Sequence, residues 1–386
     1  MAARPVSRFD RVVQTCTIVL FLGLISLPAL GLIFQRQTPG FNEKRALAPA
    51  PTLSQAWYSP TRFITGLRAY LDDHFGFRST LIRWNGKFTA RALSVSISPS
   101  VIIGRDGWLY YAEDHILEDY RCLQPFTEAE LAQWAGLLER RQAWLQQRGC
   151  RYLFFVAPNE HTIYPEHLPA TLTRVRDTSR LDQLLAYLRA HTTVTVVDLR
   201  PALLAAKAQE RVYQKTDTHW NERGAFIAYQ ELFKPIHVWF PRVRALPRQA
   251  FADTDGMGPG GDLADLMGTP DLYREEVLGL RPLEPRRARM SLWPASRLGE
   301  FVDRPSSVQE AAVADPGLPR MVLLHDSFGV ALVPFLAEHF SRSVFIPTTM
   351  GFDAPVLERE QPDLVLQEIT ERHLWIDYPD KYQDRP

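Results

Sequence analysis

The chain has 386 residues, more than one average domain, and 46% of them are hydrophobic, enough for a sizeable core. Its 44 Lys and Arg residues balance 44 Asp and Glu residues, so it lacks the concentrated positive charge from which duplex nucleic-acid binders draw affinity by counterion release. It is also neither acidic enough nor poor enough in aromatic residues to be disordered.

Thr17 to Phe34 carries no charge and is almost wholly apolar. A helix of that length rises about 27 Å, close to the hydrocarbon thickness of a bilayer. Arg4, Arg8 and Arg11 precede it and favour a cytoplasmic N-terminus, although Arg36, Lys44 and Arg45 follow it. A cleaved signal peptide is the alternative, but the run is long for one and no small-x-small site precedes its polar flank. The expected organisation is a cytoplasmic tail at 1–16, a transmembrane anchor at 17–34, a linker with a juxtamembrane helical segment at 35–100, and one large domain at 101–386 on the outer side. In an oxidising compartment Cys122 and Cys150 can form a disulfide; two buried free thiols are the other reading.

Further along, helical spacing covers Thr61 to Leu93. "VIIGRDGWLYY" then reads as two short strands joined at Asp106-Gly107, a dipeptide that favours a tight turn. Phe126 to Arg148 has helical periodicity, with Thr127 and Glu130 spaced as a capping box. The apolar runs "RYLFFVA", "VTVVDL", "RMVLLHDSF", "SVFIPT" and "DLVLQEI" alternate with helices near Arg180 to His191 and Val330 to Phe340. Continuous apolar strands separated by helices predict an α/β fold, a parallel sheet covered on both faces. Residues 245–318, rich in Pro, Arg and Gly, break the rhythm and read as an irregular insertion.

The strongest chemical signal is "KTDTHWNERGAFIAY". In an extended segment Asp217 and His219, two apart, project to one face, where a carboxylate can hold an imidazole. Asn221 is a good N-cap, so a helix starts just after the pair. An Asp on Nδ1–H fixes the tautomer and leaves Nε2 as a general base. Ser327, in "VLLHDSFG", follows a strand and precedes a helix, the carboxyl end where parallel sheets bind ligands. A nucleophile there gains oxyanion stabilisation from backbone N–H groups, its own included. Capping of the helix by Asp326 or Ser327 is the alternative for this motif. Asn159, after "RYLFFVAP", is a candidate oxyanion donor or simply a turn residue. No cofactor or metal is expected: His161 and His167 do not match helical zinc spacing, and neither a Cys/His cluster nor a Gly-rich phosphate loop occurs.

The D-T-H-W-N segment, followed far downstream by H-D-S-F, resembles the AlgJ/AlgX-type SGNH-hydrolase-like proteins of alginate O-acetylation. "DHFGFRSTLIRWN", "VIIGRDGWLYY", "APNEHTIYPEHLP", "GGDLADLMG" and "QPDLVLQEITERHL" are similar to that family in the same order. The resemblance implies an SGNH-hydrolase-like sheet, with Asp217, His219 and Ser327 as a catalytic triad. It also implies a multi-pass membrane acyltransferase as acetyl-donor partner and a polysaccharide acceptor. His325 departs from the Gly common at that position, and a bulkier residue there is expected to narrow the site or touch substrate. A carbohydrate acetylesterase with the same triad and a non-catalytic polysaccharide-binding scaffold are the competing functions.

Overall fold

The structure, a computed structural model, describes residues 8–34, 47–93, 95–292, 308–376 and 379. The side chains of 9, 10, 28–30, 32–34 and 376 lie outside that description, as do residues 1–7 of the expected tail and residues 35–46 of the linker. The described chain groups into two compact units, residues 1–98 with 265–270, and residues 99–264 with 271–386.

In the first unit a helix runs over Arg8–Phe34. Among the described residues, however, no helix is long and apolar enough to cross a membrane, so the expected transmembrane segment is not supported. The helix begins at Arg8, and Arg11 is exposed in its first turn. The expected helix at Thr61 to Leu93 is two helices, Pro60–His74 and Arg78–Leu93. They part where Phe77 adopts a φ of 62°, a left-handed conformation that no helix interior accepts.

The second unit is the α/β domain. Its strands are β1 (Val101–Ile103), β2 (Leu109–Tyr111), β3 (Arg151–Ala157), β4 (Thr195–Asp198), β5 (Phe251–Gly258), β6 (Glu275–Pro282), β7 (Arg289–Leu292), β8 (Gln309–Ala312), β9 (Arg320–His325), β10 (Arg342–Pro347) and β11 (Leu364–Thr370). β1 and β2 form the expected hairpin. Its turn places Asp106 at φ 55° and Gly107 at φ 82°, closed by Trp108 N–H donating to the Arg105 carbonyl at 3.0 Å.

The main sheet has the order β4-β3-β11-β9-β10-β8-β7. Its first five strands are parallel, as expected, but β8 and β7 add an antiparallel edge. Both lie in the stretch read as irregular, which also contains the β5–β6 hairpin. Short strands with mixed Arg, Ser and Ala have no continuous apolar run to announce them.

Alternate side chains of each central strand serve opposite faces. Leu153, Phe155, Leu323, Phe345 and Leu366 pack with the helix Glu222–Trp239 on one side. Phe154, Val156, Val322, Val344 and Val365 pack with the helices Glu128–Gln146 and Arg180–His191 on the other. The Thr127–Glu130 capping box forms. Cys122 and Cys150 are separate, buried free thiols.

Candidate active site

Residues 211–221 form a tight loop, not the extended segment the sequence suggested. Tyr213 and Trp220 bridge its base, and Gln214 N–H donates to the His219 carbonyl at 3.1 Å. Within this bend Asp217 turns back on His219. One of its oxygens, Oδ1, accepts from the His219 backbone N–H at 3.0 Å and lies 2.6 Å from Nδ1. Thus the i, i+2 proximity holds although the backbone is bent. Asn221 ends the loop by capping the helix Glu222–Trp239, its side chain accepting from Gly224 N–H at 2.9 Å.

Ser327 comes from the far end of β9. Its Oγ lies 2.8 Å from His219 Nε2, and its side chain caps no helix. Capping is therefore not its role. The turn that follows is a 3-10 helix, Phe328–Leu332, rather than the long α-helix expected, because Pro334 enters just beyond it. Asp326 anchors the turn: Oδ1 accepts from Phe328 N–H at 2.9 Å, and Oδ2 accepts from the N–H and Oγ1 of Thr370 at 2.7 and 2.6 Å. Burial pushes the Asp326 carboxyl up, but the charges of His373 and Arg372 and the Thr370 bond outweigh it and hold it below its usual range. Phe328 lies beside the site, its ring centroid 4.9 Å from that of His219, and its carbonyl accepts from Trp220 Nε1 at 3.1 Å.

The structure therefore brings Asp217, His219 and Ser327 into one hydrogen-bonded chain. It does not do so for the other two candidates. Asn159 is buried at the start of the short helix Glu160–Ile163, and its N–H donates to Glu371 at 2.9 Å. Among the described hydrogen bonds none links it to Ser327 or His219. His325 is buried, 3% exposed, with Nδ1 2.6 Å from the Asp326 carbonyl. Its side chain fills space against Gly329 instead of reaching into the site.

Sequence reasoning missed three supports. Glu275 on β6 accepts from Lys215 N–H at 2.7 Å, Thr216 N–H at 3.2 Å, Thr216 Oγ1 at 2.5 Å and Arg211 Nη1 at 2.9 Å, pinning the loop from outside. Asp262 accepts from Thr218 N–H and Oγ1 at 3.0 Å each, while its own N–H donates to Asp217 Oδ2 at 3.0 Å. Gly261 lets that segment approach Asp217 closely. Only the Gly-Gly-Asp at 260–262 carried a signal, through the family resemblance; Glu275 had none. Asp217, His219 and Asp262 lie within 4.8 Å of one another, a set that a cation can bridge. Their hydrogen bonds to one another and to Thr218 instead hold the loop together.

Burial pushes the His219 imidazole down, but the Asp217 hydrogen bond and charge, with Asp262 behind them, raise it above its ordinary value. Burial pushes Asp217 up, yet its bonds to His219 and Asp262 hold it below the usual carboxylate range. A base held by a carboxylate and bonded to a hydroxyl is the arrangement that activates a serine for acyl transfer.

The family model described as SGNH hydrolase-like domain, acetyltransferase AlgX, matches residues 101–354, well over half of the chain. The chain belongs to this family. Among curated relatives of this SGNH-like acetyltransferase, "Probable alginate O-acetylase AlgJ" of Pseudomonas fluorescens is 26% identical over 372 residues, covering 92% of this chain and 87% of that protein. Its namesake in Pseudomonas aeruginosa is 28% identical over 245 residues, covering 62% of this chain but only 54% of that protein. Two solved structures share the fold. Bacillus cereus PatB1 has a TM-score of 0.51 at 15% identity, covering 72% of this chain and 99% of that one. A DHHW family protein from Eubacterium siraeum has a TM-score of 0.51 at 16% identity, covering 74% and 99%.

Proposed function

We propose that this chain is an O-acetyltransferase that carries an acetyl group on Ser327 and delivers it to a hydroxyl of an extracytoplasmic polysaccharide. The observation that carries this reading is the continuous chain from Ser327 Oγ through His219, 2.8 Å to Nε2 and 2.6 Å from Nδ1 to Asp217.

His219 Nε2 takes the Ser327 proton as Oγ attacks the acetyl carbonyl carbon. Negative charge then moves to the carbonyl oxygen, for which the Ser327 backbone N–H, at the start of the turn, is the donor in this reading. The tetrahedral intermediate collapses, the leaving group takes the proton from His219, and acetyl-Ser327 remains. An acceptor hydroxyl next gives its proton to Nε2 and attacks the acyl carbon; Ser327 leaves and recovers that proton. Asp217 keeps Nδ1 protonated and stabilises the imidazolium in both halves.

Family membership supports an acetyl cargo, and the relatives' names support an alginate-like acceptor. Such an acceptor lies outside the cytoplasm, whereas acetyl-CoA is confined within it. A multi-pass membrane acyltransferase that hands acetyl groups across is therefore the partner in this reading. Membrane association draws support from the Arg8–Phe34 helix, where Ile18, Val19, Leu20, Phe21, Leu22, Leu24 and Ile25 are each more than half exposed.

Mass spectrometry of the chain after treatment with an activated acetyl ester tests the proposal. The expected result is one acetyl group on Ser327, lost on addition of a polysaccharide acceptor with acetylation of that acceptor, and absent in Ser327→Ala. Acetyl-Ser327 that water alone discharges would make the chain an esterase. No adduct, with acetylation in the cell unchanged by Ser327→Ala, would leave a scaffold.

A further inference from the structure

Asp326, which anchors the turn of Ser327, contacts a second carboxyl that the acyl-transfer steps leave unused. Glu368 is wholly buried on β11, the strand next to β9. Its Oε2 accepts from Asp326 N–H at 2.9 Å, and its Oε1 is buried without a hydrogen-bond partner. Glu368 thus holds the residue immediately before the serine by its backbone, while Thr370, two residues further along β11, holds the same residue by its side chain.

Two carboxyls in one buried place do not both ionise cheaply. Asp326 has the stronger claim to the charge. It accepts from Phe328 N–H and from the N–H and Oγ1 of Thr370, and His373 Nε2 lies 3.5 Å from its Oδ2. Glu368 has the opposite surroundings. Burial, the Asp326 charge and a side-chain hydrogen bond with Asp326 push its carboxyl well up, against the Asp326 N–H and the charge of Arg372. Tyr213 is also near enough to feel Glu368; burial pushes its hydroxyl up, and it stays neutral, donating to the Pro158 carbonyl at 2.6 Å. As a carboxylate, Glu368 would carry an orphaned charged acceptor sealed from water. As an acid, the same oxygen becomes a donor, and the Asp326 carboxylate is the acceptor beside it. Environments that push two carboxyls apart in this way assign one proton to the pair.

We propose that Glu368 is a positioning residue that carries a proton on Oε1 and donates it to the Asp326 carboxylate, and that this hydrogen bond keeps Ser327 within reach of His219. When the proton is lost at alkaline pH, two negative charges face one another next to the serine and the turn is displaced. Glu368 touches no reacting atom and acts only through Asp326. The proposal goes beyond the acyl-transfer reading and rests on it for the kinetic arm of the test alone. The sign follows from the direction of the shift. A carboxyl raised in the folded state gives stability that is complete below the ordinary 4.5 and is lost as pH rises from there through the folded-state value.

The kinetic arm follows kcat/KM for hydrolysis of an activated acetyl ester against pH. The parent is expected to rise through the His219 limb and to fall again on the alkaline side. Glu368→Leu removes both bonds to Asp326 and is expected to lose about 100-fold at neutral pH, the scale of a one-ångström misplacement. Glu368→Gln is expected to recover most of that loss, because its amide both donates and accepts. It should also keep its activity through the alkaline fall, having no proton to lose.

Infrared difference spectra of the parent against Glu368→Gln read the proton without turnover. A protonated-carboxyl band present only in the parent is expected at neutral pH, vanishing over the same range as the alkaline fall in activity. Absence of that band would mean that Glu368 is ionised and would overturn the proposal, even if Glu368→Leu fails to fold. An alkaline fall that persists in Glu368→Gln, or a Gln variant no more active than the Leu variant, would overturn it as well. A parent that shows the band but no Ser327-dependent hydrolysis would uphold the protonated pair and overturn the acyl-transfer reading alone.

Discussion

Gly261 lies so close to Asp217 that a β-carbon on it would stand 2.5 Å from the aspartate's own. The next residue, Asp262, donates its N–H to Asp217 Oδ2 at 3.0 Å. Backbone therefore holds the carboxylate at Oδ2, the oxygen that His219 does not use. Gly261→Ala is expected to push Asp217 off Nδ1 and to lower kcat/KM on an activated acetyl ester by about 100-fold, the scale of a one-ångström misplacement. Circular dichroism should match the parent. Parental activity in this variant would mean that the loop yields freely and that the close approach is incidental.

The proton inventory of His219 gives a second expectation. Its imidazole lies above the ordinary 6.5, burial notwithstanding, because Asp217 bonds and charges it. A general base works only when neutral, so activity should rise with pH through a limb above that value and disappear as pH falls through it. Asp217→Asn removes the charge and permits the wrong tautomer; kcat should drop by about 10⁴, and the residual limb should move to lower pH. A pH profile of kcat/KM for parent and variant checks both. A limb that stays put would assign it to some other group.

Glu275 supports the site from a hairpin outside the main sheet. Removing it leaves three donors of the loop without that acceptor and Arg211 with only the carbonyls of Tyr213 and Glu276. Glu275→Ala should cost about 3–5 kcal/mol, the usual loss when one partner of a buried ion pair is deleted. Denaturant unfolding of the two proteins, followed by tryptophan fluorescence, measures it. Glu275→Gln keeps part of the acceptor capacity and should fall between. Coincident unfolding curves for parent and Ala variant would remove Glu275 from the support of the loop.

His325 and Gly329 are predicted to be coupled. A β-carbon on Gly329 would stand 2.3 Å from that of His325, so Gly329→Ala overpacks the turn and should cost about 1–3 kcal/mol. Cutting the other side away by His325→Gly opens room for it. The double variant should be more stable than the two single losses predict, with an interaction of about 0.5–3 kcal/mol. Strict additivity would show that the turn relaxes independently of the histidine.

Most of the sheet was legible because its signals are local. β3, β9, β10 and β11 are continuous apolar runs, and their alternating faces bury the two cores. The capping box at Thr127 and the cap at Asn221 were equally readable, since each involves residues three apart. β7 and β8 were not, as short polar edge strands acquire their hydrogen bonds only from β10. The break at Phe77 also escaped, because a single left-handed residue leaves no mark on hydrophobic periodicity.

The sequence by itself determined the residue types at the site and their local frames: Asp217 two before His219, Asn221 opening the helix, and Ser327 at the mouth of an apolar strand. These are short-range facts of backbone geometry and side-chain chemistry. Only the tertiary structure decided that Ser327 meets His219 across 108 positions, that His325 turns away into the core, and that Glu275, Gly261 and Arg372 gather round. Those pairings depend on strand order and on how closely backbones pack. A linear pattern carries neither, because distant contacts are selected by the sum of all burial rather than by any one segment.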